Sequence, residues 1–309
     1  MKKRLFIVVV FILSAVFCSV RAQQFIPLWT KGNMPDSKGL KIKDSISRQR
    51  AFRVAIPGMY AFFPSEDDNS GAAVVIYPGG GYTHNTLNLG GFKLAKWFNT
   101  LGVSAFVVNY RLPDSPDLVT RELGPLQDGQ RAIQLVRANA AKWGIDSNRV
   151  GVMGVSAGGH LASWVGTALD DITTLHDKVA HHATCPDFII LVSPVIDMGK
   201  FAHKGSRESL LGKNPSEELI KKYSTQNNVT SQTPPCFIAD AFNDKTVPPE
   251  NSLLFYQALL DKNISTSFHV FPQGGHQINI NNNPGSTSLW KDLCAEWLKE
   301  MGFISFTNK

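Results

Sequence analysis

The chain has 309 residues, 43% of them hydrophobic, and a formal charge of +6. Length and apolar content suffice for one large α/β domain with a full core. Four basic residues, Lys2, Lys3, Arg4 and Arg21, lie in the first 22 positions with no acidic residue beside them, so the rest carries only +2 and nothing argues for nucleic acid as a partner.

In chain order, Lys2-Lys3-Arg4 precede an unbroken apolar run from Leu5 to Leu13, and Val20-Arg21-Ala22 offers small residues around a cleavage point. Residues 1–22 therefore read as a signal peptide cut after Ala22, too short for a stable membrane span, with residues 23–309 as the domain. The expectation is a secreted or periplasmic protein without an integral span. Lipid attachment at Cys18 is the lesser alternative, because Phe17 is too bulky for the usual signal. Three further cysteines, Cys185, Cys236 and Cys294, allow at most one disulfide and leave one thiol free; Cys236 and Cys294 fall in predicted elements and read as small core residues. No pair has metal-ligand spacing, so neither a metal nor an organic cofactor is expected.

From residue 50 onward, short apolar runs alternate with helical patterns, which points to a mainly parallel eight-stranded sheet with helices on both faces. Arg50–Ile56 and Met59–Phe63 read as two strands joined at Pro57-Gly58, an antiparallel lead-in. Ala72–Tyr77 and Ser104–Tyr110 are continuous apolar strands of the kind buried on both faces, with a crossover helix Phe92–Thr100 between them. Gln127–Trp143 is an amphipathic helix stopped by Gly144. Strand Arg149–Val155, helix Gly158–Leu169, strand Phe188–Val192, strand Cys236–Ala241, helix Pro249–Leu260, strand Ser267–Phe271 and a helix near Leu289–Glu300 follow. Residues 170–187 and 197–235 read as polar, irregular excursions, the natural places for a cap or substrate-binding loops.

Gly154-Val155-Ser156-Ala157-Gly158 joins an apolar strand to a helix, the context that gives a Gly-x-Ser-x-Gly turn its meaning as a nucleophile elbow. A serine hydroxyl needs a base, and the base needs a carboxylate to hold its tautomer. The order serine, acid, histidine is met by Asp244, after strand Cys236–Ala241, and His276, on the Gly274-Gly275 loop after strand Ser267–Phe271. Asp197 is the alternative acid, and Asp240 lies too early, within a strand. His160 reads as a packing or hydrogen-bonding residue; His84 and His203 are candidates to line a cleft, with a structural or solvent-exposed histidine as the alternative. The oxyanion needs preorganised N–H donors. The amide of Ala157 supplies one, and those of Gly80 and Gly81 in Pro78-Gly79-Gly80-Gly81-Tyr82 supply the others.

The pattern extends beyond these residues. Ile26-Pro27-Leu28-Trp29, the strand leading into Pro78-Gly79-Gly80-Gly81, Asn109-Tyr110-Arg111-Leu112, Gln127-Asp128-Gly129-Gln130-Arg131-Ala132, Trp143-Gly144-Ile145-Asp146, His203-Lys204-Gly205-Ser206-Arg207 and Thr233-Pro234-Pro235 resemble the secreted carbohydrate esterases of α/β-hydrolase fold, the acetylxylan-esterase-like, xylanase-like and feruloyl-esterase-like proteins. The resemblance implies Ser156, Asp244 and His276 as a triad with Gly80, Gly81 and Ala157 around the oxyanion, and Asp128 with Arg131 as a structural pair. It implies removal of acyl groups, foremost acetyl, from plant polysaccharides such as xylan; a general carboxylesterase or feruloyl esterase is the alternative. Gly90-Gly91 stands where the family tends to carry an acidic residue before a glycine, and Gln277-Ile278 departs from the usual continuation after the histidine. A histidine base acts only when neutral, so activity is expected to fall on the acid side.

Overall fold

The computed structural model describes residues 24–276, 278 and 280–305; the expected signal peptide and Gln277 lie outside them. Eight strands form one sheet: β1 (Gln24–Pro27), β4 (Gly58–Phe62), β5 (Ala73–Tyr77), β7 (Ser104–Asn109), β8 (Val150–Val155), β9 (Ile189–Val192), β10 (Cys236–Ala241) and β11 (Thr266–Phe271). Their order is β1-β4-β7-β5-β8-β9-β10-β11. β1 and β4 run antiparallel to their neighbours and the other six are mutually parallel. β2 (Ser45–Ser47), β3 (Arg50–Arg53) and β6 (Asn85–Thr86) make a separate small sheet.

The strand period of two sorts the core into two layers. Val75, Tyr77, Val152, Leu191 and Ile238 face one layer. It is covered by α2 (Leu123–Ala138), α4 (Ala157–Thr167) and α7 (Glu250–Asp261). Val74, Ile76, Met153, Val192 and Ala239 face the other, under α1 (Lys93–Thr100) and α8 (Trp290–Glu300). The central strands β5, β7, β9 and β10 are buried along their whole length, which is why they read as mainly apolar runs, interrupted in β10 by Asp240.

Three expectations about the fold need correction. Arg50–Arg53 does not form a hairpin with the strand after Pro57-Gly58. It pairs with β2 and β6, while β4 inserts between β1 and β7, because the edge it would have used is taken by Gln24–Pro27. The helix expected over 127–143 starts at Leu123 and breaks at Asn139; α3 (Ala140–Trp143) completes it, and Gly144 ends it in the left-handed region at φ 66°. The excursion at 197–235 contains α5 (Lys204–Leu211), α6 (Glu217–Tyr223) and a 3₁₀ turn at Thr225–Asn228.

Asp128 and Arg131 also do not pair with each other. The fully buried Asp128 carboxylate meets Arg111 Nη2 at 2.9 Å and accepts from Trp29 Nε1 at 2.7 Å and the Arg111 amide at 2.8 Å. Arg131 instead reaches the Leu28 carbonyl and Asp177. Both remain structural, each tying α2 to a distant segment. Cys236 and Cys294 are free and buried in the core, where burial pushes both thiols up, and Cys185 is free and half-buried.

Candidate active site

Ser156 stands at the carboxyl end of β8, at the head of α4, with φ 56° and ψ −122°. A non-glycine residue there is strained, and the neighbouring glycines make the turn feasible. A Cβ at Gly154 would strike the Gly158 carbonyl, and a Cβ at Gly158 would strike the Tyr77 carbonyl of the adjacent strand. The serine backbone is held from both sides: its N–H donates to the Val192 carbonyl (3.1 Å), and its carbonyl accepts from Val195 (3.0 Å) and Gly159 (2.9 Å). The hydroxyl is thereby presented in one direction.

His276 arrives on the loop after β11 and Asp244 on the loop after β10. His276 Nε2 lies 2.8 Å from Ser156 Oγ, and Nδ1 lies 2.7 Å from Asp244 Oδ2. The other carboxylate oxygen, Oδ1, accepts from the amides of Thr246 (2.9 Å) and Val247 (3.0 Å), so the buried Asp244 side chain has one orientation open to it. The Asn243 side chain, which sequence reasoning passed over, accepts from the Gly275 amide at 2.8 Å and ties the histidine loop to the acid loop.

The alternative acids are engaged elsewhere. Asp197 accepts from the amides of Gly199 and Phe201 and from Ser224 Oγ and Gln226 Nε2, closing its own loop. Asp240 is buried in β10 and accepts from Ser252 Oγ (2.6 Å). Burial, reinforced by the nearby Asp244 charge, raises its carboxyl to about 6.

The glycine loop lies beside the serine. A Cβ on Gly79 would stand 3.2 Å from Ser156 Cβ, and one on Gly80, at φ 138°, would strike the His84 carbonyl. Gly81 and Tyr82 are left-handed at φ 63° and 60°. Among the described residues, neither the Gly80 nor the Gly81 amide donates to a backbone acceptor. Ala157, as the first residue of α4, has an amide that the helix itself does not use. Gly90 belongs to a wide π-type turn closed by Phe92 N–H to the Leu87 carbonyl (2.7 Å). A Cβ there would lie 2.6 Å from Thr86 Oγ1 and 3.3 Å from the Gly79 amide, so an acidic side chain at 90 would press on the glycine loop.

Behind the loop, Tyr82 Oη donates to His160 Nδ1 (2.8 Å), and His160 Nε2–H donates to the Tyr223 carbonyl (2.7 Å). Complete burial lowers His160 to about 4, so the ring is neutral at pH 7.

A cavity of ≈ 840 Å³ opens over Ser156 and His276. Its lining mixes apolar and polar groups. Leu94, Met153, Ile278 and Trp290 belong to the core layer under α1 and α8. His203, Glu208, Ser209 and Lys213, on or flanking α5, contribute polar groups, as does Arg121. His84 instead stacks on Phe52, with ring centroids 5.2 Å apart. Among the described residues, no group of three or more His, Cys, Asp or Glu could hold a metal ion, and no helix is long and apolar enough to cross a membrane.

A sharp serine turn at the end of a central parallel strand, with histidine and carboxylate on the loops after the last two strands, defines an α/β hydrolase. The BD-FAE family matches residues 59–259. An acetyl ester-xyloside bifunctional hydrolase from Caldicellulosiruptor lactoaceticus superposes with a TM-score of 0.80 at 36% identity, covering 92% of this chain and 98% of that one. The acetylxylan esterase of Xylanibacter ruminicola is 37% identical over 249 residues, 79% of this chain and 48% of that protein. Endo-1,4-beta-xylanase B of Butyrivibrio fibrisolvens is 36% identical over 228 residues, 74% of this chain and 35% of that protein. The chain thus spans less than half the length of these two curated relatives, and it belongs to the BD-FAE family.

Proposed function

We propose that this chain is an exported serine esterase that removes acetyl groups from xylan-type polysaccharides. The observation that carries the reading is the hydrogen-bonded line from Ser156 Oγ through His276 to Asp244, opening onto the cavity. The names of the acetylxylan esterase and of the acetyl ester-xyloside hydrolase support the substrate, and the apolar run at Leu5–Leu13 supports export.

Ser156 Oγ attacks the ester carbonyl carbon while His276 Nε2 takes the hydroxyl proton, and Asp244 holds the imidazolium. The carbonyl oxygen becomes an oxyanion facing the amides of Gly80, Gly81 and Ala157. Collapse expels the sugar alkoxide, which takes the proton from His276 and leaves acetyl-Ser156. Water, deprotonated by His276, then releases acetate and restores the serine.

The cavity favours one competing reading. Leu94, Ile278 and Trp290 are apolar lining against which an acid bulkier than acetate, as in a feruloyl ester, would pack. Acetate release from acetylated xylo-oligosaccharides, by the chain from residue 23 onward and by its Ser156→Ala variant, tests the proposal. Release abolished by the variant supports it. Faster turnover of feruloylated than of acetylated oligosaccharide moves the assignment to the competing acid.

A further inference from the structure

We infer that His203 is a substrate-binding residue whose Nε2–H donates to an oxygen of the sugar that carries the ester, so that it selects carbohydrate esters over esters of simple alcohols. This rests on the esterase reading and concerns its leaving-group side.

The tautomer follows from the contacts. His203 precedes α5 and caps it: Nδ1 accepts the Ser206 amide at 3.2 Å and lies 2.8 Å from Ser206 Oγ. A nitrogen that accepts a backbone N–H carries no proton, so the single proton of the neutral ring is on Nε2. Burial, with the nearby His276, lowers the pKa of His203 and keeps the ring neutral at the pH where a histidine base works. Nε2–H is then a fixed donor, and among the described residues it has no acceptor.

Its direction follows from what surrounds it. His203 lines the cavity with Ser156 and His276. Its Cε1 would lie 3.9 Å from a Cβ on Gly81, in the glycine loop, and 3.2 Å from one on Gly205. A Gly205 Cβ would also stand 3.7 Å from Nε2. Gly205 has an ordinary backbone conformation, so glycine there is not required by φ; its effect is to leave the Cε1–Nε2 edge of the imidazole uncovered. Glu208, Ser209 and Lys213, on or just after the helix that His203 caps, also line the cavity. The apolar lining suits the acyl group and the backbone amides suit the oxyanion, so the partner left for a neutral ring donor among the polar lining is an oxygen of the leaving sugar.

Asparagine places its amide where Nδ1 lies, so His203→Asn keeps an acceptor for the α5 cap and deletes the Nε2 donor. Glutamine reaches the Nε2 position, so His203→Gln restores a donor there. Wild type and both variants are assayed on acetylated xylotriose and on ethyl acetate, which has the same acyl group but a leaving alcohol without further oxygens. We expect His203→Asn to lower kcat/KM on the sugar ester about tenfold, the value of one neutral hydrogen bond. Ethyl acetate turnover should stay within twofold, the melting temperature should hold, and His203→Gln should recover part of the loss. Equal losses on both esters overturn the inference and place His203 on the oxyanion or in the scaffold. No loss on either overturns it as well. Wild type inactive on the sugar ester but active on ethyl acetate overturns the polysaccharide reading and this inference with it.

Discussion

His160 makes acid stability calculable from its contacts. The ring is fully buried between Tyr82 Oη and the Tyr223 carbonyl, and burial takes its pKa from 6.5 to about 4. Below pH 6.5 the unfolded chain binds a proton that the folded chain refuses, so stability falls with pH until about 4 and levels off beneath it. Between pH 7 and pH 5 the two pKa values give a loss of about 2 kcal/mol from this residue. Asp240 works in the opposite direction over the same window, because its folded-state carboxyl is raised to about 6 and holds a proton that the unfolded chain gives up. The two must therefore be separated by substitution. His160→Gln keeps a donor for Tyr223 and removes the titrating ring; at pH 7 it should cost about 1–3 kcal/mol for the bond to Tyr82. Urea unfolding of both proteins at pH 7 and pH 5 should show this gap narrowing by about 2 kcal/mol at the lower pH, with the Asp240 contribution cancelling in the difference. A gap that stays constant to within about 0.5 kcal/mol refutes a neutral, buried His160.

The remaining predictions concern the site and its immediate support. Asp244→Asn should lower kcat by roughly 10⁴ with little change in thermal melt, whereas Asp197→Asn should lower the melt and leave His276 its partner; the reverse pattern in paired kinetics and melts would move the acid to Asp197. Gly80→Ala drives a Cβ into the His84 carbonyl and should displace the loop amides, cutting kcat by roughly 10²–10³ with KM less affected. Asp240→Asn should remove a pH-dependent destabilisation of about 3 kcal/mol that sets in as pH rises from about 4 through about 6, read as a melting temperature that gains more at pH 8 than at pH 5. Asp128→Ala strands the buried Arg111 charge and should cost about 3–5 kcal/mol in urea unfolding.

What the sequence made legible follows from how local each signal was. Strands β5, β7 and β10 are buried on both faces, so their apolar runs announced them almost residue for residue. The elbow was legible because its spacing is local: Gly154 is required by the Gly158 carbonyl four residues on, although Gly158 itself answers to Tyr77 on the adjacent strand, far off in sequence. β1 was not, since its four residues are mostly exposed and carry no alternation. α6 did carry a local signal: Ser216 caps it, Glu217 and Glu218 open it and Lys221 and Lys222 close it, the charge order that suits a helix dipole. Seven residues inside a polar stretch gave that signal no apolar period to support it. Asp128 and Arg131 were expected as a pair through the family resemblance, and nothing in the sequence around them tested it. Their real partners, Arg111 and Asp177, lie 17 and 46 residues away, at distances that spacing cannot report.

The same contrast divides the site by origin. Ser156, Asp244 and His276 are carried on the ends of β8, β10 and β11, and the parallel sheet sets their separations. Part of the polar lining of the cavity, His203, Glu208, Ser209 and Lys213, comes from the excursion after β9, which the sheet does not shape. That excursion is closed on itself by Asp197, whose carboxylate gathers Gly199, Phe201, Ser224 and Gln226 at its base, and it is fastened to the glycine loop through Tyr223, His160 and Tyr82. Asp197 sits after a strand, where an acid for the histidine could stand, yet its lone pairs are spent on holding the excursion in place. Substitutions within 204–213 should therefore change which alcohol is released without moving the Ser156–His276–Asp244 line. Loosening Asp197 or His160 should disturb both, because each fixes the excursion against the frame that carries the reacting atoms.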